Sequence, residues 1–195
     1  MFDFKNWKNE EKILNPFDIT KGSMVEFTAG GLAGTGFYRF EKIIEVKISE
    51  KAFARYLIYS ESEDTEYMFE ALPQRDGQIE AYIYKLSDTV PFSEEFLEIA
   101  GQKYLTTPDG VEYQRCVMPS NDDRVDGIKG SIRVYDLGLQ KIQHEDQVYL
   151  WDYKREMDGN IEYLAVEMSE EIGLFKIFIG EQLEGIFYKI YHAKE

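Results

Sequence analysis

One cysteine, two histidines, five prolines and only 22 basic residues among 195 leave several kinds of protein out of reach. A single thiol, Cys116, builds no internal disulfide framework and fits a reducing compartment. With only His144 and His192 beside it, far apart in the chain, the three or four ligands of a zinc site do not assemble at any recognisable spacing. Lys and Arg are outnumbered by 37 Asp and Glu, for a net charge of −15. No clustered basic face exists to neutralise phosphates, which argues against nucleic acid as a partner and against anionic membrane surfaces. No apolar run approaches the length of a membrane span. The opening MFDFKNWKNEEK carries acids and lacks the apolar centre of a secretory signal. These absences describe a cytoplasmic protein with no direct membrane insertion.

What is present is aromatic. Fourteen Tyr and thirteen Phe favour strands over helices, and a hydrophobic fraction of 44% suits a globular chain. The clearest stretch is Gln147 to Ser169, which reads as a β-hairpin about a two-residue Asp158-Gly159 turn. A type I′ turn needs positive φ at both central residues, so Asp-Gly between alternating strands fixes a register. That register pairs Met157 with Asn160, Arg155 with Glu162, Tyr153 with Leu164, Trp151 with Val166 and Tyr149 with Met168. Those pairs share one face, the expected core. The opposite face, with Asp152, Lys154, Glu156, Tyr163 and Glu167, reads as a mixed wet surface.

Taken in order, residues 1–18 form an arm with Phe4, Trp7 and Leu14 on one helical face, expected to pack on the body. Strands follow at Met24–Phe27, Phe37–Ile48, Ala52–Ser60, Glu66–Leu72 and Ile79–Leu86. Ser93 to Ala100 is the best helix candidate, with Ser93 as N-cap, acids in its first turn and Gly101 at its end. Further strands are expected over Val111–Met118, holding Cys116, over Ile128–Tyr135, over Leu174–Ile179 and over Ile186–Tyr191. The fold class is mainly β, antiparallel, with one or two short helices. The organisation is two related lobes or one curved body, divided as 19–105, with the helix at 93–100, and 106–195. TKGSMVEF (20–27) resembles IKGSIRVY (128–135), EYMFEAL (66–72) resembles EYLAVEM (162–168), and QIEAYIYKL (78–86) resembles QLEGIFYKI (182–190). The offsets of 108, 96 and 104 residues are unequal, and strands look alike by composition, so duplication is the weaker explanation.

The candidate sites are thin. The glycines of AGGLAGTG (29–36) suggest a phosphate loop, but no Gly-Lys-Ser/Thr follows and the next segment is β, so no helix N-terminus waits for an anion. The acidic loops ESEDTE (61–66) and NDDRVDG (121–127) lack calcium-loop spacing. Nucleophilic catalysis needs Cys116 or a Ser beside His144 or His192; His144 sits in a polar loop, IQHED, nothing in the sequence demands a Cys116–His144 pair, and Cys116 reads better as a small buried strand residue. Arg39, Arg55, Arg115, Arg133 and Arg155 lie on strands among aromatics, where an Arg stacks on a ring or holds a carboxylate; cross-strand pairs such as Arg155–Glu162 are the simplest case. No catalytic, cofactor-binding or metal-binding residue is assigned, and no cofactor is expected.

The motifs Phe53-Ala54-Arg55-Tyr56, Glu112-Tyr113-Gln114-Arg115 and Trp151-Asp152-Tyr153-Lys154-Arg155-Glu156, followed by Glu162-Tyr163-Leu164, resemble the YjfK-like family, bacterial cytosolic proteins of unknown function. The resemblance implies an accessory protein of bacterial envelope stress that binds a protein partner, and it carries over no site residue. The functional expectation is therefore a non-enzymatic binding or accessory protein. A second reading is an acidic immunity-type protein that masks a basic effector, and a third is an enzyme built on scattered carboxylates or Cys116.

Overall fold

The computed structural model describes residues 19–49, 51–60, 65–73, 79–116, 124–137, 141–191 and 193. The expected arm at 1–18, residues 61–64 of the acidic loop, the turn at 74–78, residues 117–123 and His192 lie outside the described residues. Alternating apolar and polar residues make twelve antiparallel strands: β1 (Met24–Phe27), β2 (Gly36–Ile48), β3 (Lys51–Ser60), β4 (Thr65–Pro73), β5 (Ile79–Pro91), β6 (Tyr104–Thr106), β7 (Glu112–Arg115), β8 (Ile128–Asp136), β9 (Ile142–Met157), β10 (Asn160–Ser169), β11 (Leu174–Leu183) and β12 (Tyr188–Tyr191). Among the described residues one helix, α1 (Glu94–Ala100), interrupts these strands. Its N-terminus is capped as its sequence requires, the Ser93 hydroxyl accepting from the Phe96 amide at 3.1 Å.

The hairpin of β9 and β10 has the register that its turn dictates. Trp151 faces Val166, Tyr153 faces Leu164 and Arg155 faces Glu162. Asp158 and Gly159 have φ of 52° and 83°, the two positive values of a type I′ turn. Three other segments differ from the sequence reading. β9 begins at Ile142, so His144 lies in a strand rather than a polar loop, because Val134 and its neighbours on β8 pair with it. β7 stops at Arg115, and Cys116 follows it half-buried rather than lying buried within a strand. The short β6, unmarked in sequence by any run of apolar residues, pairs with β7.

Two four-stranded meanders, β2–β5 and β8–β11, join at both edges. β2 pairs with β8 and β5 pairs with β11, which closes an eight-stranded ring. β1 and β12 extend it on one side, β7 and β6 on the other. Strands from both halves of the chain thus lie in one sheet, with β12 beside β1. Of the three sequence likenesses, only EYMFEAL and EYLAVEM fall on matching strands, β4 and β10. The counterpart of β5 in the ring is β11, whereas QLEGIFYKI runs from the end of β11 into β12.

One contact shows which face of the sheet lines the ring. Arg55 on β3 reaches Glu167 on β10 at 2.9 Å, although β4, β5 and β11 separate those strands along the wall. Only a path across the lumen joins them. The lumen face therefore carries Arg55, Glu70, Asp152 and Glu167, and the hairpin face read as wet surface is the barrel interior. The opposite, aromatic face points out of the ring and is covered in two places. β1, β12 and the Gly-rich segment cover Tyr56, Phe69 and Ile83; α1, β6 and β7 cover Trp151, Tyr153, Leu164 and Val166. Ring-to-ring contacts such as Phe69–Tyr188 and Phe96–Phe175 fix these layers. Among the described residues no helix is long and apolar enough to cross a membrane.

Candidate functional site

An eight-stranded barrel has an interior that side chains just fill or that holds one small ligand. Here the lower part is filled. Val46, Ile132, Val148 and Leu150 are buried there with Phe53 against them. Above this plug lies a charged cluster. The Arg55 guanidinium donates from Nε to Glu70 at 2.5 Å and from Nη1 to Glu167 at 2.9 Å, with all three side chains nearly inaccessible. Its plane also rests 5.4 Å from the Phe53 ring centre. Burial works against the guanidinium charge, but the Glu70 and Glu167 carboxylates outweigh it and hold the proton more firmly. Burial pushes the Glu70 carboxyl up, Arg55 pulls against that shift, and the Asp152 and Glu167 charges reinforce it.

Asp152, on β9, completes the cluster. Burial raises its carboxyl, and Arg55 and then Arg115 oppose the rise. Asp152 lies opposite Ala165 on β10 and is exposed to water. No described residue hydrogen bonds to this carboxylate. Around it stand Tyr84, whose hydroxyl is held well above its ordinary value by burial and then by Glu70 and Asp152, and the half-buried Tyr82 and Tyr163. The Tyr82 and Tyr163 rings meet edge to face at 5.2 Å, and Tyr82 donates to Glu80 at 3.2 Å. Gly180 makes room for this wall: a Cβ there would lie 2.2 Å from the Tyr84 ring. Three carboxylates face one guanidinium in this layer.

Cys116 sits at the same level, its amide donating to the Asp152 carbonyl at 2.8 Å. Burial first, and then the Asp152 charge, push its thiol up to about 11, the reverse of an activated nucleophile. His144 lies eight residues further down β9, roughly 26 Å away at strand rise. The two cannot form a nucleophile–base pair. The glycines of 29–36 have a structural use: the Leu32 amide donates to Glu181 at 2.7 Å, and a Cβ on Gly31 would lie 2.1 Å from that carboxylate. The strand arginines behave as their neighbours suggest. Arg155 holds Glu162 at 2.6 Å and stacks over Tyr113, Arg133 holds Glu145 at 2.9 Å, Arg39 holds Glu41 at 2.6 Å, and Arg115 lies over Tyr153.

Sequence reasoning missed Glu70, Glu167 and Asp152 as a set, because among 37 acids no spacing marks them out. The signal that could have found them is an Arg and a Glu at facing positions of one strand pair, Arg55 opposite Glu70, inside otherwise apolar strands. Fold and site together define a closed antiparallel β-barrel with an acidic, tyrosine-walled lumen. Compared with protein-family models, with curated proteins and with solved structures, the chain matches none of them.

Proposed function

We propose that this is a non-enzymatic binding protein and that the Asp152 layer takes a small organic cation. The observation that carries the reading is Asp152, a water-exposed carboxylate beside the Arg55 cluster with no hydrogen-bond partner among the described residues. Three carboxylates against Arg55, with Arg115 also acting on Asp152, leave negative charge in excess, and such an imbalance beside buried groups is costly. The excess is relieved by taking up a proton or a cation. Tyr82, Tyr84 and Tyr163, clustered about Ala165 opposite Asp152, supply rings suited to cation–π contact with an ammonium group. The accessory role in bacterial stress implied by the family resemblance is compatible with a barrel that reports on such a ligand to a protein partner.

The test is calorimetric titration of the full chain with putrescine, choline and ethanolamine. Saturable binding of at least one of them, weakened about tenfold or more by Asp152→Asn, is the expected result. No binding of any of the three, or equal binding by the variant, overturns the reading. The masking of a basic effector is favoured by a different feature, an acidic surface recess lined by Glu145, Asp146, Glu170 and Glu171. Capture of a basic protein that disappears at high salt and in charge-neutralised recess variants would support it.

A further inference from the structure

At the far end of the barrel from Asp152, β9 runs on past the end of β10 and meets the turn at 170–173. There three potential ligands converge: His144 and Asp146 on β9 and Glu171 in the turn, each offering an atom within 4.8 Å of the other two. Asp146 is almost fully buried and fixed. It accepts from the Ser169 hydroxyl and, at 3.2 Å, from the Glu171 amide, while Ser169 in turn accepts from the Ile172 amide at 3.1 Å. These bonds aim the carboxylate and leave lone pairs on it. Glu171 is exposed, with one carboxylate oxygen 3.8 Å from His144 Nδ1.

The decisive atom is His144 Nε2. That atom is buried, within a side chain 35% exposed, and makes no hydrogen bond to any described residue. It points at Asp146 Oδ2 from 3.9 Å, while Nδ1 lies 3.8 Å from Glu171. That gap is too long for a hydrogen bond. It fits two ligands that share one ion, since atoms each about 2.1 Å from a metal lie roughly 3–4 Å apart. Beside the trio is an open recess of about 420 Å³, lined by Glu145, Asp146, Gln147, Glu170 and Glu171, which gives water or a further carboxylate access to the remaining positions. We propose that His144, Asp146 and Glu171 bind a divalent transition-metal ion of the zinc type. An imidazole nitrogen with two carboxylates suits such an ion better than Mg²⁺ or Ca²⁺, which prefer oxygen alone. Closure needs only Glu171 to move, because Asp146 is anchored and His144 is held in the β8–β9 ladder. The metal ties the 170–173 turn to β9 at an edge where no described strand pairs with residues 142–147 on that side.

The full chain is titrated with ZnCl₂ in excess Mg²⁺, so that loose binding by the acidic surface is suppressed. One saturating equivalent is expected, weakened about tenfold or more both in His144→Ala and in Glu171→Ala, and unchanged in His192→Ala. Glu171 is an exposed turn residue, so its variant keeps the test valid even where His144→Ala fails to fold. With Co²⁺ as a second probe, a visible absorption band should appear in the wild type and be lost in both site variants. Absence of a one-equivalent site, or full retention of binding by Glu171→Ala or by a folded His144→Ala, overturns the assignment.

Discussion

Arg55 concentrates the energetics of the lumen in one side chain. Its truncation leaves Glu70 and Glu167 buried without a cation, and breaking a buried ion pair from one side costs about 3–5 kcal/mol. Arg55→Ala should therefore lower the urea midpoint sharply, whereas replacing all three members by apolar residues of similar size should restore most of the loss. Asp152 and Glu70 set a pH dependence. Both carboxyls are raised in the folded protein, so above the ordinary carboxylate range of about 4 the native state binds more protons than the unfolded one. The contribution of these groups to stability is largest at acid pH, falls as pH rises through their raised values, and levels off above them. Asp152→Asn should be more stable than the wild type at neutral pH, with a shallower decline between pH 4 and 8, as read by urea denaturation. At this scale little was legible beforehand. The strand arginines and their preference for rings and carboxylates could be read, as Arg155 with Glu162 and Tyr113 shows. Which acids close on Arg55 could not, because Glu167 comes to it across the ring from 112 residues away.

At the scale of elements the β9–β10 hairpin was fully legible, since turn chemistry and alternation specify one register locally. Gly159→Val places a branched residue at φ 83° and should cost about 1–3 kcal/mol in chemical denaturation, with Asp158→Asn close to neutral because Asn also tolerates the left-handed region. What alternation could not supply was which face looks into the ring. A row of Asp152, Lys154, Tyr163 and Glu167 has the same polar signature whether it meets bulk water or a charged lumen. The start of β9 was hidden for a related reason. Ile142 to Asp146 is polar, and only pairing with β8 makes it a strand. Helix α1 was readable from Ser93 because its cap is a local bond.

For the whole molecule, closure rests on two seams, β2 with β8 and β5 with β11, and both join residues distant in sequence. Nothing local encodes such pairings, which is why a mainly antiparallel fold was readable while the ring was not. At the β2–β8 seam Gly130 passes so close that a Cβ would lie 2.9 Å from the Lys47 carbonyl. Gly130→Val should overpack the seam by about 1–3 kcal/mol and lower Tm by roughly 3–10 °C at this chain length, measured by calorimetry. The sheet ends, in strand order, at β12 and β6, of four and three residues. Where β5 overhangs β4, it presents Ser87, Asp88, Thr89 and Pro91. A free edge invites another chain to add a strand. Ends this brief, and an overhang marked by a charge and a proline, give an incoming strand almost nothing to template on, so a protein made very largely of β-structure is built against growing into fibrils.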